Sequence, residues 1–195
     1  RDISENLLRS IDRLNVEKID FFHIWVVLDM EDYGKRMASG GPYEELLKAR
    51  DEGLVEHICI STHCTGSEIA EIASGGKFEG ITLGYNLLNY KYRQEGIRSA
   101  YENNIAVITM NPLGGGLIPN NQKLFSYLTA PGDRDVIETA VKFNASHEEI
   151  TVVLTGMDSI EHVRENASYA FADPDYASSV VERSESVTNP EFDTL

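Results

Sequence analysis

Apolar residues Ile3, Leu7, Leu8, Ile11 and Leu14 recur at helical spacing, with Asp2 or Ser4 placed to cap and Glu5 in the first turn. The chain therefore opens on an amphipathic helix. After a polar break at Asn15 the period changes: between Lys18 and Leu28 the run IDFFHIWVVL is almost continuously apolar and aromatic. That pattern predicts a strand buried on both faces of a parallel sheet. A loop with Gly34, Gly40, Gly41 and Pro42 is expected next.

The alternation then repeats. Helices are expected over Tyr43 to Glu52, Ser67 to Ser74, Gln94 to Asn103, Asp135 to Ser146 and Ser159 to Tyr169. Strands are expected over Val55 to Ser61, Gly80 to Tyr85, Ile105 to Met110 and Thr151 to Thr155, with Gly53, Gly75, Gly76 and Gly156 as punctuation. Five strand-then-helix units imply right-handed crossovers and a parallel sheet, either open and doubly wound or part of a barrel. Five strands do not close a barrel of eight, so an open edge is left to be covered. No linker divides residues 1–171, which read as one domain. The segment 172–195 reads as an acidic tail with room for one short helix, Tyr176 to Ser184.

Charge narrows the partners. Among 195 residues, 32 are Asp or Glu and 17 are Lys or Arg, a formal net charge of -15. Such an excess repels phosphate backbones and anionic lipid heads, and no basic run overrides it, so nucleic acid is not expected as a partner. No apolar stretch approaches the roughly 20 residues that span a bilayer, so no membrane is expected. Cys59 and Cys64 are too few for a disulfide framework or a four-thiolate metal site, which favours a reducing compartment and a cytoplasmic location. The chain opens on Arg1 in place of Met, as a processed chain or a piece of something longer does.

The segments IDFFHIW, EGLVEHICISTH, ITLGYNLLN, NIAVITMNPLGGGLI and ITVVLTGMDSIEHVREN, in that order over Lys18 to Asn166, resemble the aldo/keto reductase family. The resemblance implies an α/β fold of the (β/α)8 TIM-barrel type, here incomplete at about five parallel βα units. The matching strands are four to eight of the barrel. It implies NADP or NAD as cofactor, an aldehyde or ketone as the small carbonyl substrate, and oxidoreductase chemistry. The family's catalytic Tyr, Lys and Asp lie on segments that this chain does not match, so no catalytic residue is assigned. The family His falls at Trp25, expected as a pocket wall, and His23 lies two positions earlier on the same face, expected as a core histidine.

The same resemblance places cofactor contacts residue by residue. Ser61 and Thr62 stand where the family holds the carboxamide, Thr82 at its Gln position and Met110 where a Tyr stacks on the nicotinamide ring. Asn111, Pro112, Leu113 and Gly114, opening the run to Gly116, match the loop along the pyrophosphate, where glycines let backbone N–H groups approach phosphate oxygens. Gly156 and Ser159 open the last cofactor segment, and Glu165 and Asn166 match the pair that bonds the adenine. The cationic 2'-phosphate contacts fall at Gly156 and His162, neither a fixed positive charge, so NAD fits at least as well as NADP. His57, His63, Cys59 and Cys64 do not converge on a strand and give no metal site.

Two expectations compete. One is a carbonyl reductase, or the cofactor-cradling part of one. The other is an inactive truncated barrel acting as a nucleotide-binding or protein-interaction module, its open edge covered by a second copy or an N-terminal segment.

Overall fold

In the computed structural model, residues 3–169, 173 and 175–186 are described. Five strands are hydrogen-bonded in chain order: β1 (Ile19–Val27), β2 (Val55–Thr62), β3 (Gly80–Gly84), β4 (Ala106–Met110) and β5 (Val152–Val153). The β1–β2 and β2–β3 pairs are parallel, as the intervening helices require. Ten α-helices accompany them among the described residues, and none is long and apolar enough to cross a membrane. The chain divides into two compact units, Arg1–Leu83 with Lys91–Ile108, and Gly84–Tyr90 with Thr109–Leu195.

The first unit holds α1 (Ile3–Leu14), α2 (Met30–Met37), α3 (Pro42–Asp51), α4 (Gly66–Ser74) and most of α5 (Tyr90–Glu102). Its core is a dry layer of Ile24, Val27, Leu46, Ile58, Ile60, Ile69, Ile72, Ile81 and Leu83, all but inaccessible to water. The strand residues alternate as a parallel sheet demands: Ile24 sits opposite Ile60, whereas His23 sits opposite Cys59 on the other face. Thr65 and Glu68 form a reciprocal capping box that starts α4. Gly96 lets α5 press onto that helix, because a Cβ at this position would fall 2.6 Å from Ile69 and 2.9 Å from the Gly66 carbonyl oxygen.

Two expectations are corrected here, and one stretch that the pattern leaves unassigned, 117–134, gains structure. β1 is not buried on both faces: Phe21 is 57% and Trp25 77% exposed, on the face they share with His23. The loop expected after β1 contains α2, where the Asp29 cap and the pairs Glu31–Lys35 and Asp32–Arg36 outweigh the helix-weakening Gly34. The long segment after Ile118 is likewise not bare loop. It holds α6 (Leu117–Asn120), α7 (Gln122–Phe125) and a 3-10 turn at Ser126–Leu128, pinned by buried Ile118, Phe125 and Leu128.

β1 also carries a bulge. From Ile24 to Val27 it advances three residues while β2 advances two, and Val26 takes a positive φ of 54°. The displaced Val26 N–H donates to the Ser61 hydroxyl at 2.9 Å in place of a ladder bond.

The second unit is built on α8 (Val136–Ala145), α9 (Ile160–Ser168) and α10 (Tyr176–Ser186). Asp135 caps α8 by accepting from the N–H groups of Ile137 and Glu138. Before that cap, the nearly buried Asp133 carboxylate accepts from Lys142 Nζ and Thr139 Oγ1, each at 2.7 Å, and from the Tyr176 hydroxyl. Lys142 also lies over the rings of Tyr169 and Tyr176, 5.8 Å from each centroid. One charged cluster therefore ties α8 to α10 and to the residue that ends α9.

Candidate functional site

The candidate residues fall into separate groups, one in each unit's strands and one on α9. In the first unit, Ser61 and Thr62 stand at the carboxyl end of β2, the end at which parallel α/β folds place their sites, and Thr82 lies beside Ser61 at the middle of β3. Ser61 and Thr82 share a face, paired in register, and His23 lies on it. The Thr82 hydroxyl is 3.0 Å from His23 Nε2. Burial pushes the His23 pKa below its ordinary value, so the ring is neutral at neutral pH.

Thr62 points the other way. It is fully buried, donates to the Val27 carbonyl at 3.0 Å and accepts from the Cys64 N–H at 3.0 Å, so it fastens the end of β1 to β2. Cys59, below Ser61 on the shared face, is buried and its thiol is pushed up to about 12, which leaves it inert as a nucleophile. Trp25 projects from this face with most of its surface exposed and encloses nothing within its unit.

In the second unit, a cavity of about 450 Å³ brings most of the remaining candidates together. Met110, Asn111, Pro112 and Leu113 with Gly115, Gly116 and Pro119 form one wall, and Leu154, Thr155 and Gly156 the other. No charged side chain lines it. The first wall is fixed through its backbone: Met110 O accepts from Tyr85 N–H at 3.1 Å, and Asn111 O from Asn86 Nδ2 at 3.0 Å and Gly114 N–H at 2.9 Å. The second is hung on β4 by Leu154 N–H to Thr109 O at 2.8 Å.

The wall turns on four positive-φ positions: Asn111 at 58° and, after Pro112 and Leu113, the consecutive Gly114, Gly115 and Gly116 at 64°, 65° and 94°. Only glycine enters that region without strain, which explains the run. A Cβ added at Gly115 would meet no protein atom within 4 Å, so the space beside this backbone is open. An uncharged, glycine-walled cavity offers an anion backbone dipoles and no cation, and two of the loop's N–H groups, those of Gly114 and Gly116, are engaged by Asn111 O and Leu113 O.

On α9, Ser159 is the N-cap, its hydroxyl accepting from His162 N–H at 3.1 Å. Asp158 Oδ1 lies 2.8 Å from His162 Nδ1. Glu165 pairs with Arg134 at 2.6 Å, and the same guanidinium reaches Asp135 at 3.1 Å and the Tyr169 hydroxyl at 3.3 Å. Asn166 donates to Thr155 Oγ1 at 3.3 Å, and both line a second cavity of about 430 Å³ with Val153, Met157 and Val163. Sequence reasoning missed Arg134, Thr155 and Leu154. Thr155 and Leu154 were legible as the end of a predicted strand, whereas no local signal pairs Arg134 with a residue 31 positions away.

The Aldo/keto reductase family model matches residues 1–185. No curated protein matches. Among solved structures, the chain is similar to the aldo-keto reductase AKR11C1 from Bacillus halodurans (holo form), with a TM-score of 0.73 and 18% identity over 97% of this chain and 69% of that one. A thermostable aldo-keto reductase, Tm1743, in complex with the inhibitor epalrestat gives 0.71 and 13%, over 93% and 65%. The glycerol dehydrogenase AKR11B4 from Gluconobacter oxydans gives 0.67 and 17%, over 96% and 65%. At these identities the likeness is one of fold, and the chain spans about two thirds of the length of the structures it matches.

Proposed function

The chain belongs to the aldo/keto reductase family, and from that premise we propose that it carries the nucleotide cradle of a cytoplasmic, NAD(P)H-dependent carbonyl reductase. The observation that carries this reading is the uncharged cavity between Met110–Gly116 and Leu154–Gly156. Its composition fits a dinucleotide: apolar Met110, Leu113 and Leu154 suit a flat ring, and glycine backbone at positive φ suits a pyrophosphate. When bound, the dihydronicotinamide supplies a hydride to the carbonyl carbon of an aldehyde or ketone. This chain's residues bind and orient. In the second unit, Asn166 on α9 is bonded to Thr155, which lines the cavity; in the first, Ser61 and Thr82 present hydroxyls on one strand face, with Thr82 held by His23.

We read NADH as the preferred nucleotide. The Arg134 guanidinium is already divided among Glu165, Asp135 and Tyr169, and Asp158 and Glu161 add negative charge at the start of α9. Carboxylates accept from a ribose 2'-hydroxyl and repel a 2'-phosphate.

Titration of the folded chain with NADH and with NADPH, followed by the fluorescence of the reduced nicotinamide, tests both statements. Saturable micromolar binding with NADH the tighter is expected, and a folded chain that binds neither removes the reading. Oxidation of NADH on adding a simple aldehyde then separates an enzyme from a cradle alone.

One observation favours the second reading, an interaction module. Phe21 and Trp25 stand largely exposed on the free side of β1, where an aromatic row beside an open strand edge invites an added strand. A second copy or a further segment of the fold covers that edge in this reading. Light scattering on the purified chain separates a dimer from a monomer.

A further inference from the structure

We propose that the hydrogen bond between Tyr85 and His147 is a pH-sensitive latch holding the two walls of the Met110–Gly156 cavity together, closed while His147 is neutral and released on its protonation. The identity of the ligand in that cavity rests on the reading above, but the latch itself does not.

The latch lies wholly within the second unit. Tyr85 follows β3, and its backbone N–H holds Met110 O, while the next residue, Asn86, holds Asn111 O. Leu88, two residues on, lies 3.6 Å from where a Cβ on Gly114 would sit. The segment after β3 thus buttresses the first wall at three points. His147 belongs to the connection from α8 to β5, turned by Ile150 N–H onto His147 O at 3.1 Å, and that connection leads directly into Leu154, Thr155 and Gly156. The Tyr85 hydroxyl, 3.3 Å from His147 Nε2, joins buttress to connection across 62 residues of sequence.

The surroundings make the bond sensitive to a proton. Tyr85 is 1% exposed, stacked on Phe143, and His147 stands edge-on to both rings at 4.8 and 5.3 Å. Glu149 Oε2, on the same connection, lies 3.6 Å from His147 Nδ1. In the neutral ring this places the proton on Nδ1, toward the carboxylate, and leaves Nε2 to accept from the Tyr85 hydroxyl. A second proton makes Nε2 a donor, and the Tyr85 hydroxyl proton is turned into an aromatic cage.

The titratable groups facing His147 are Glu149 and Tyr85, with Tyr90 of α5 beyond Tyr85. α8 presents only the Phe143 ring, and α10 meets Tyr90 through the Ser184 hydroxyl at 3.4 Å. Burial lowers the His147 pKa and outweighs Glu149, which raises it. A histidine with a lowered native pKa contributes stability that is complete above its unfolded value of about 6.5 and is lost as the pH falls from there through the native value.

Amide hydrogen exchange of the free full chain, corrected for the intrinsic effect of pH, tests the latch without any ligand. Protection of the Tyr85, Gly114 and Leu154 amides is expected to fall about tenfold between pH 7.5 and pH 5.5, while the β1–β2 ladder stays constant. His147→Gln, which accepts from Tyr85 at every pH, should abolish that dependence. Tyr85→Phe should give low protection at both pH values. Protection that is flat with pH in the wild-type chain, or that falls equally in His147→Gln, overturns the latch. Failure of NADH to bind leaves the exchange result intact and counts only against the nucleotide reading.

Discussion

Thr62 and Asp133 do the same job in different units, and by different means. Thr62 ties β1 to β2 with one neutral hydrogen bond to Val27 O, steadied by another from the Cys64 N–H, inside a unit whose strands run five to nine residues and whose core is mostly Ile, Leu and Val. Asp133 ties α8 to α10 with an ionic cluster, inside a unit whose own strand, β5, is two residues long. Where ladders satisfy the backbone, side chains are left to pack. Where the backbone is irregular, side chains and glycines take over its hydrogen bonding, and cavities open beside it. The two cavities described above lie in the second unit.

If that contrast is real, the two ties break differently. Asp133→Ala should have the largest effect, about 2–4 kcal/mol by urea denaturation, because it removes the buried acceptor of Tyr176 and Thr139 and leaves Lys142 only the Glu138 carboxylate. The loss should also appear in the wild-type chain on acidification. Burial opposes ionisation of Asp133, but the bonds from Lys142, Tyr176 and Thr139 prevail and hold its pKa below the ordinary 3.8. Its contribution is therefore complete above that value and lost as the pH falls further, so α8 and α10 should melt before β1–β2.

Thr62→Val should cost less, about 1–3 kcal/mol, by removing the acceptor of the Cys64 N–H while Val27 O keeps the His63 N–H, and its effect should not depend on salt. An equal salt dependence in the two variants would erase the distinction between the units. Thr65→Ala, which removes the α4 capping box, should cost about 1 kcal/mol. The smallest expected signal is chemical: Cys59, raised to about 12, and Cys64, also raised by burial, should resist a thiol-disulfide reagent at pH 8 until the first unit unfolds. Labelling of the native chain at Cys59 would show that the strand face under Ser61 opens to solvent.

The parts of this molecule legible from sequence are those governed by local rules. The strand Val55 to Ser61 and the helices Ser67 to Ser74 and Asp135 to Ser146 follow from periodicity, and the structure places them within a residue or two. The exposure of Phe21 and Trp25 was not legible, because an apolar run reads the same whether or not a neighbouring element covers it. Nor was α2, since Gly34 argues for a loop and only the summed ion pairs and cap reverse it. At the candidate site, the Asn111–Gly116 loop was visible as a glycine run behind a strand. The pairing of Glu165 with Arg134 and of Tyr85 with His147 was not, for both bonds join residues far apart in the chain.

On the reading proposed above, the second unit's glycine-walled cavity, and not the aromatic face of β1, is where this chain meets a ligand. Backbone amide NMR spectra of the isotopically labelled chain, recorded during titration with NADH, test it directly. The account predicts saturable shifts concentrated at Met110 to Gly116 and Leu154 to Gly156. Shifts centred on Phe21 and Trp25, or an unchanged spectrum from a folded chain, would contradict it.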